Sequence, residues 1–365
     1  MGRSRVILFA LLVLPGLYLA TWPVPVDPVA WQAPEDRGLS GAFAENRALT
    51  GAGAIALGTH EGPEDVTVGH DGALYATSES GTVLRIDQDT GAVGEFARVG
   101  GRPLGIEAAA DGSLIVANAY SGIQRISRHG EVTLMLGKID GKPLVYANNL
   151  TVSEDGVIYF SEASMKFGAQ ARGGTYEASL LDILEHGGHG RVIAFDPRTG
   201  EADVLVGGLN FANGVTISAD ERFLLIAETG SYRILRHWLQ GPDAGKTEVI
   251  VDNLPGFPDN LNRGEEARYW VGLVAPRDAK LDGLSDKPFL RKVVQRLPSF
   301  LRPRAVPSSH VIAINGDGEV LFSLQDPAAR YPAMTGACET GQRLYLARLF
   351  GHDLPYIDKA ALKPR

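Results

Sequence analysis

One short pattern recurs six times along this chain: an apolar strand, an acidic or glycine turn, then a β-rich strand of alternating character. The copies are DGALYATSES from Asp71, DGSLIVANAY from Asp111, DGVIYFSEAS from Asp155, DERFLLIAET from Asp220, EEARYWVGLV from Glu265 and GQRLYLARLF from Gly341. Their turns are 40, 44, 65, 45 and 76 residues apart, so the unit is near 40 to 45 residues with two insertions. That length matches a blade of four short strands. Third strands follow in several copies, as in GTVLRID from Gly81, SGIQRIS from Ser121, GRVIAFD from Gly190 and SYRILRHW from Ser231. Repeated meanders of this kind bury both faces of each sheet only by stacking around an axis. The expectation is an all-β, six-bladed propeller, and the 44 glycines and 21 prolines supply its many tight turns.

The insertions fall between Met165 and Gly190 and between Pro276 and Ser309. The second contains KPFLRKVVQRLPSFL, whose apolar residues recur at three- and four-residue steps, which predicts a helix over one face of the disc. At the N-terminus Arg3 and Arg5 precede an apolar run over residues 6–20, followed by Trp22 and a proline-rich stretch. A positive flank, an apolar segment and an aromatic edge describe a signal peptide or an uncleaved signal anchor. Bulky Tyr18 stands where cleavage after Ala20 wants a small residue, which favours the anchor. Either way the rest of the chain is expected outside the cytoplasm. The expected organisation is 1–22 signal or anchor, 23–59 extended linker and 60–365 propeller.

In a propeller the first strand of each blade is innermost, so its starting residues converge on the axis. Six or seven residues before the six turns lie Glu64, Leu104, Asn148, Asn213, Asp259 and Thr335. Two carboxylates and two amides at one phase of the repeat are costly to bury unless something pairs with them. Hard oxygen donors without thiolate or imidazole suit calcium, while magnesium wants a tighter octahedron and zinc wants His or Cys. Glu64, Asn148, Asn213 and Asp259 are therefore the expected calcium ligands. Asn118, Asn149, Glu228 and Asn260 lie close to this register and are candidates for supporting or substrate contacts. His310 opens a strand after the second insertion and joins them, as does Thr335. The N-x-T pattern at Asn149 is discounted as a glycosylation site because its segment is expected at the axis.

Other chemistries find little support. The formal net charge is −8, and no stretch clusters Lys and Arg with aromatics, which argues against a nucleic-acid partner. A lone cysteine, Cys338, excludes an intrachain disulfide or a Cys-based zinc site. There is no G-x-S-x-G elbow, and GAGAIALG at Gly51 lacks dinucleotide-loop spacing.

Longer segments carry a resemblance: GRPLGI at Gly101, YANNLTVSEDGVIYFSEAS at Tyr146, DILEHGGHGRVIAFDPRTG at Asp182, FANGVTISADERFLLIAETGSYRILRHWL at Phe211, LPGFPDNLNRG at Leu254 and HVIAINGDGEVLFSLQDP at His310. The chain resembles the strictosidine synthase-like proteins, including their membrane-anchored branch, within the superfamily of gluconolactonases, regucalcin-type proteins and paraoxonases. That resemblance implies calcium ligands at Glu64, Asn148, Asn213 and Asp259. It also implies departures, since Leu104 stands where paraoxonases place a catalytic histidine. Thr335 falls near the glutamate that strictosidine synthase uses, so alkaloid condensation is not expected. The favoured expectation is a calcium-dependent hydrolase of lactones or esters, with Asp259, or else Glu64, activating water or attacking directly. The alternative is a membrane-tethered propeller that binds a ligand or protein partner and keeps calcium for structure.

Overall fold

Asp71, Asp111 and Asp155 each stand before a glycine that turns the chain back on itself. Gly72, Gly112 and Gly156 take φ of +74°, +82° and +89°, a region a side chain resists. Asp111 Oδ1 accepts from the Ser113 N–H at 2.9 Å, and Asp71 Oδ1 from that of Ala73 at 3.2 Å. The acidic residue that marks these repeats is thus turn chemistry. In the fourth copy Ser218 Oγ takes the same role, accepting from Arg222 N at 2.9 Å.

In the computed structural model, which describes residues 14–362, these turns join antiparallel strands into six four-stranded sheets. Their inner strands are Val66–Val68, Pro103–Ala108, Ala147–Val152, Ala212–Ile217, Gly256–Arg263 and Met334–Glu339. Inner strands such as Ala212–Ile217 are buried and the outer strand Val132–Leu136 is largely exposed, whereas the outer strand of blade five, Val320–Asp326, is mostly buried. The core lies between neighbouring blades. Leu225, Ala227, Tyr232 and Ile234 of blade four, for instance, pack against Leu261, Tyr269, Val271 and Ile312 of blade five.

The last blade corrects the expected domain boundary. Its three C-terminal strands, Met334–Glu339, Arg343–Arg348 and Asp353–Asp358, are joined at the outer edge by Gly53–Ala56, with Gly53 opposite Tyr356 and Ala56 opposite Asp353. The propeller therefore begins at Gly53, inside the stretch expected to be linker. A three-stranded sixth sheet would leave an open edge, and the N-terminal strand covers it.

The first insertion forms α1, Thr175–Glu185, between the second and third strands of blade three. The second follows the second strand of blade five and contains a one-turn helix, Ala279–Asp282, then α2, Pro288–Arg296. Asp278 caps the one-turn helix, accepting from the N–H groups of Lys280 and Leu281. The preceding N-terminal stretch ties these insertions together. Val29 N donates to Glu185 O at 2.9 Å, Trp31 N donates to Ser285 O at 3.1 Å, and the Trp31 ring stacks on His186 at 3.9 Å. Buried Arg291 of α2 donates to the carbonyls of Leu184, Ser285 and Val29. The expected signal or anchor over residues 6–20 lies mostly outside the described residues. Among those described, residues 14–21 are helical and no helix is long and apolar enough to cross a membrane.

Candidate functional site

Five of the six inner strands carry a register shift near their start, between Pro103 and Ile106, Ala147 and Leu150, Ala212 and Val215, Pro258 and Leu261, and Met334 and Gly336. A bulge breaks the alternation of a strand, so two successive residues escape the pattern of one in and one out. The residues in these bulges are Leu104–Gly105, Asn148–Asn149, Asn213–Gly214, Asp259–Asn260 and Thr335. In blade one Glu64 and Asp65 occupy the equivalent place, directly ahead of the short strand Val66–Val68.

Glu64, Leu104, Asn148, Asn213 and Asp259 line the floor of one cavity and are all buried. Three of their oxygens, Glu64 Oε2, Asn148 Oδ1 and Asn213 Oδ1, have no hydrogen-bond partner. Buried oxygens normally find a donor, and three orphans on residues that line one cavity ask for a cation. Asn213 is oriented by its own Nδ2, which donates to Thr229 Oγ1 at 3.2 Å, while Thr229 Oγ1 donates to Pro258 O at 2.6 Å. Burial pushes the Asp259 carboxyl up to about 7, with Asp65 adding to the shift and Asn213 opposing it. Glu64 is pushed well above the usual carboxylate range by burial first, then by the charges of Asp259 and Asp65, with Arg102 opposing. Two buried acids that resist ionising together are what a dication would stabilise. The donor set fits calcium: oxygen only, mixed charged and neutral, with its lone pairs free.

One residue further along the same strands lies a second ring: Asp65, Gly105, Asn149, Gly214, Asn260 and Gly336. Polar and glycine residues alternate. Asp65 Oδ2 accepts from Ile106 N in blade two at 3.1 Å, and Asn149 Oδ1 from Val215 N in blade four at 3.0 Å. Asn262 Oδ1 accepts from Ala337 N in blade six at 3.2 Å. Asn149 Nδ2 donates to Asn260 Oδ1 at 3.1 Å, and Asn260 Nδ2 donates to Glu64 O at 2.9 Å. The glycines make room, for a Cβ on Gly214 would stand 2.3 Å from Leu261 N and one on Gly105 2.7 Å from the Asn149 Cα. This belt ties neighbouring and alternate blades together next to the orphan oxygens.

Above the floor the cavity holds about 440 Å³. Its wall is apolar, with Tyr146, Phe211 and Phe257 near the floor and Leu180, Leu181, Leu281 and Val294 from the insertions. Tyr146 OH donates to Thr175 O at 2.7 Å, which ties the floor to α1.

Of the expected supporting residues, Asn149 and Asn260 belong to the belt. Thr335 donates to Glu64 O at 2.7 Å and does not line the cavity. Asn118, Glu228 and His310 do not reach the cavity either. Asn118 Oδ1 accepts from Arg102 N at 3.1 Å and its Nδ2 donates to Gly100 O at 2.8 Å, so it closes a loop in blade two. Glu228 accepts from Asn210 N at 2.9 Å and pairs with Arg233 at 2.6 Å. His310 is buried in blade five against Ser323 Oγ at 3.0 Å, and burial pushes its imidazole down to about 4. All three satisfy local structure, so none is left to hold substrate. The reading of the residues missed Tyr146, Phe211 and Arg102. The first two lie two residues ahead of Asn148 and Asn213, a regularity that could have flagged them. Arg102 is buried with Nη1 unpartnered and its charge acts on Glu64.

Comparison with known proteins places this geometry. Residues 148–242 match a family model described as strictosidine synthase, and residues 41–86 one described as strictosidine synthase-like, N-terminal. Adipocyte plasma membrane-associated protein from Bos taurus is 34% identical over 92% of this chain and 84% of its own. Protein strictosidine synthase-like 6 from Arabidopsis thaliana is 31% identical over 86% of this chain and 83% of its own. Among solved structures, a gluconolactonase from Xanthomonas campestris superposes with a TM-score of 0.62 at 18% identity, covering 93% of this chain and 98% of that one. Regucalcin from Agrobacterium tumefaciens, described as a calcium-binding protein, reaches 0.54 at 13% identity over 82% and 94%. At such identities the two structures speak for the fold.

Proposed function

The chain belongs to the strictosidine synthase-like family, and from that premise we propose that it is a calcium-dependent hydrolase of lactones or esters. The observation that carries this reading is the trio of buried, unpartnered oxygens on Glu64, Asn148 and Asn213 beside the Asp259 carboxyl, at the floor of an apolar cavity. Those four residues would hold the ion. Calcium there would act as a Lewis acid toward a carbonyl oxygen of the substrate. Asp259, a buried carboxylate on the cavity floor that the ion would keep ionised, is the group to take a proton from the attacking water, with Glu64 second. The wall formed by Tyr146, Phe211 and Phe257 would exclude bulk water and seat the apolar part of the substrate. Support at the level of fold comes from the gluconolactonase and regucalcin propellers.

We place the propeller outside the cytoplasm, tethered or exported by its N-terminal apolar run. The test is an assay of the full chain against a panel of lactones and aryl esters, with and without chelator. Turnover that is abolished by chelation, and that falls by two orders of magnitude or so in Asp259→Ala, is the expected result. Calcium binding with no turnover of any substrate would reduce the ion to a structural role and leave a ligand- or partner-binding propeller.

A further inference from the structure

α2 is turned inside out with respect to water. Its arginines face inward: Arg291 is 1% exposed and donates to backbone carbonyls, and Arg296 is 7% exposed and donates to the carbonyls of Trp22 and Leu19. Two apolar residues at its start face outward, with Phe289 57% exposed and Leu290 also on the surface. The turn that follows, Ser299–Leu301, leaves Phe300 73% exposed, and Leu301 and Val306 are exposed as well. A protein that meets only water does not hide its cations and show its phenylalanines.

The charge of this stretch is as one-sided as its exposure. Between Lys287 and Gly316 there are six cations, Lys287, Arg291, Lys292, Arg296, Arg302 and Arg304, and no acid, in a chain of net charge −8. Asp286 and Asp27 pair with Lys287 and Lys292 at 2.7 and 2.6 Å, but Arg302 and Arg304 meet no carboxylate among the described residues. Bare aromatics beside two cations without a carboxylate, Arg302 and Arg304, complement a surface that is apolar within and anionic at its rim. Two further observations locate that surface. Arg296 holds the carbonyls of Leu19 and Trp22, so the patch adjoins the end of the N-terminal apolar run. Val294, Gln295 and residues 302–306 also line the cavity, so the patch is part of its mouth.

We propose that the second insertion is a docking surface for an anionic phospholipid bilayer, which sets the mouth of the cavity against the headgroups. Phe289, Phe300 and Leu301 would enter the headgroup layer, while Lys287 and Arg304 meet phosphates. The surface is separate from the calcium ring, so it stands whatever reaction the ring performs.

The experiment uses the full chain in vesicles of phosphatidylglycerol and phosphatidylcholine. An environment-sensitive fluorophore is placed on Phe300→Cys and, in a second sample, on Asp89→Cys in a turn of blade one; native Cys338 is buried and escapes labelling. Nitroxide carried on the lipid chains should quench the label at 300 several-fold more than the label at 89. The double variant Lys287→Glu, Arg304→Glu, with an unchanged melting temperature, should bring the label at 300 down to the level of the label at 89. Because Arg296 fixes the patch to the N-terminal run, a tether alone would also bring position 300 near lipid, and quenching undiminished in the double variant would assign the result to the tether and overturn the proposal. Equal quenching at both positions would overturn the proposal, and equal depth in purely zwitterionic vesicles would overturn its anionic partner. A blue shift without lipid that grows with protein concentration would give the patch to a second copy of the chain.

Discussion

The two rings on the propeller axis are built from neighbouring residues on the same strands, yet they are opposite in character. Every polar side chain of the belt, Asp65, Asn149 and Asn260, is bonded across to another blade. In the upper ring Glu64, Asn148 and Asn213 each keep a buried oxygen without a partner. The difference separates two uses of buried polarity: a satisfied group holds the fold together, and an unsatisfied one waits for a ligand. It also shows that burial and residue type alone could not have told them apart, since both rings are Asx-rich and fully enclosed.

The contrast can be broken most forcefully from the belt. Gly214→Ala would drive a methyl group into the backbone of Leu261, and a loss of about 3 kcal/mol or more in unfolding free energy is expected, the same with calcium or chelator. Urea unfolding under both conditions measures it; a mild loss confined to the calcium-loaded form would mean that the belt is no strut. The ring should behave the other way round. Saturating calcium, at about a hundredfold over its dissociation constant, should add ~2.7 kcal/mol to the wild type. Glu64→Gln replaces an acid whose charged form burial disfavours by a neutral near-isostere, so the chelated variant should unfold much like the wild type while the calcium increment disappears. Calorimetric titration of both proteins with the ion would check this.

The smallest effect expected is in pH. Because burial raises Asp259 to about 7 and lifts Glu64 well above the usual carboxylate range, their contribution to stability is fully present below the ordinary carboxylate range and is lost as pH rises through the folded values. Chelated protein should therefore melt lower at pH 8 than at pH 6, and calcium should shrink or reverse that difference, because it favours the ionised acids. Asp65, held at about 6, adds a drift of the same sign in both forms. Melting temperatures flat across that range without calcium would mean that the two acids share no strain.

Much of this was legible in the sequence, and the limits have physical causes. The repeat fixed the phase of Glu64, Asn148, Asn213 and Asp259 because six copies of one unit must place equivalent residues equivalently about an axis. The belt was written one position later, as alternating polar residues and glycines. It escaped notice because strand periodicity sends a neighbour to the opposite face, and only the bulges turn both residues inward. Asn118, Glu228 and His310 misled for a related reason. Each lies near the end of a strand, where the side chain can fold back on its own loop, and nothing in the local sequence says which way it turns. Gly53–Ala56 carries no pattern of its own, since an edge strand with one covered side needs little more than a backbone that can pair.

That closing strand has a consequence for how the molecule comes into being. Ala56 is made long before its partner Asp353, so the ring cannot close until every blade between them has emerged. Until then blade six lacks its outer strand, and the early segment has nothing to pair with. Contacts so distant in sequence make for slow folding. If the residues ahead of Gly53 are already held at a membrane, the waiting strand is kept close by, and the last step of folding becomes the return of a chain end to a fixed address.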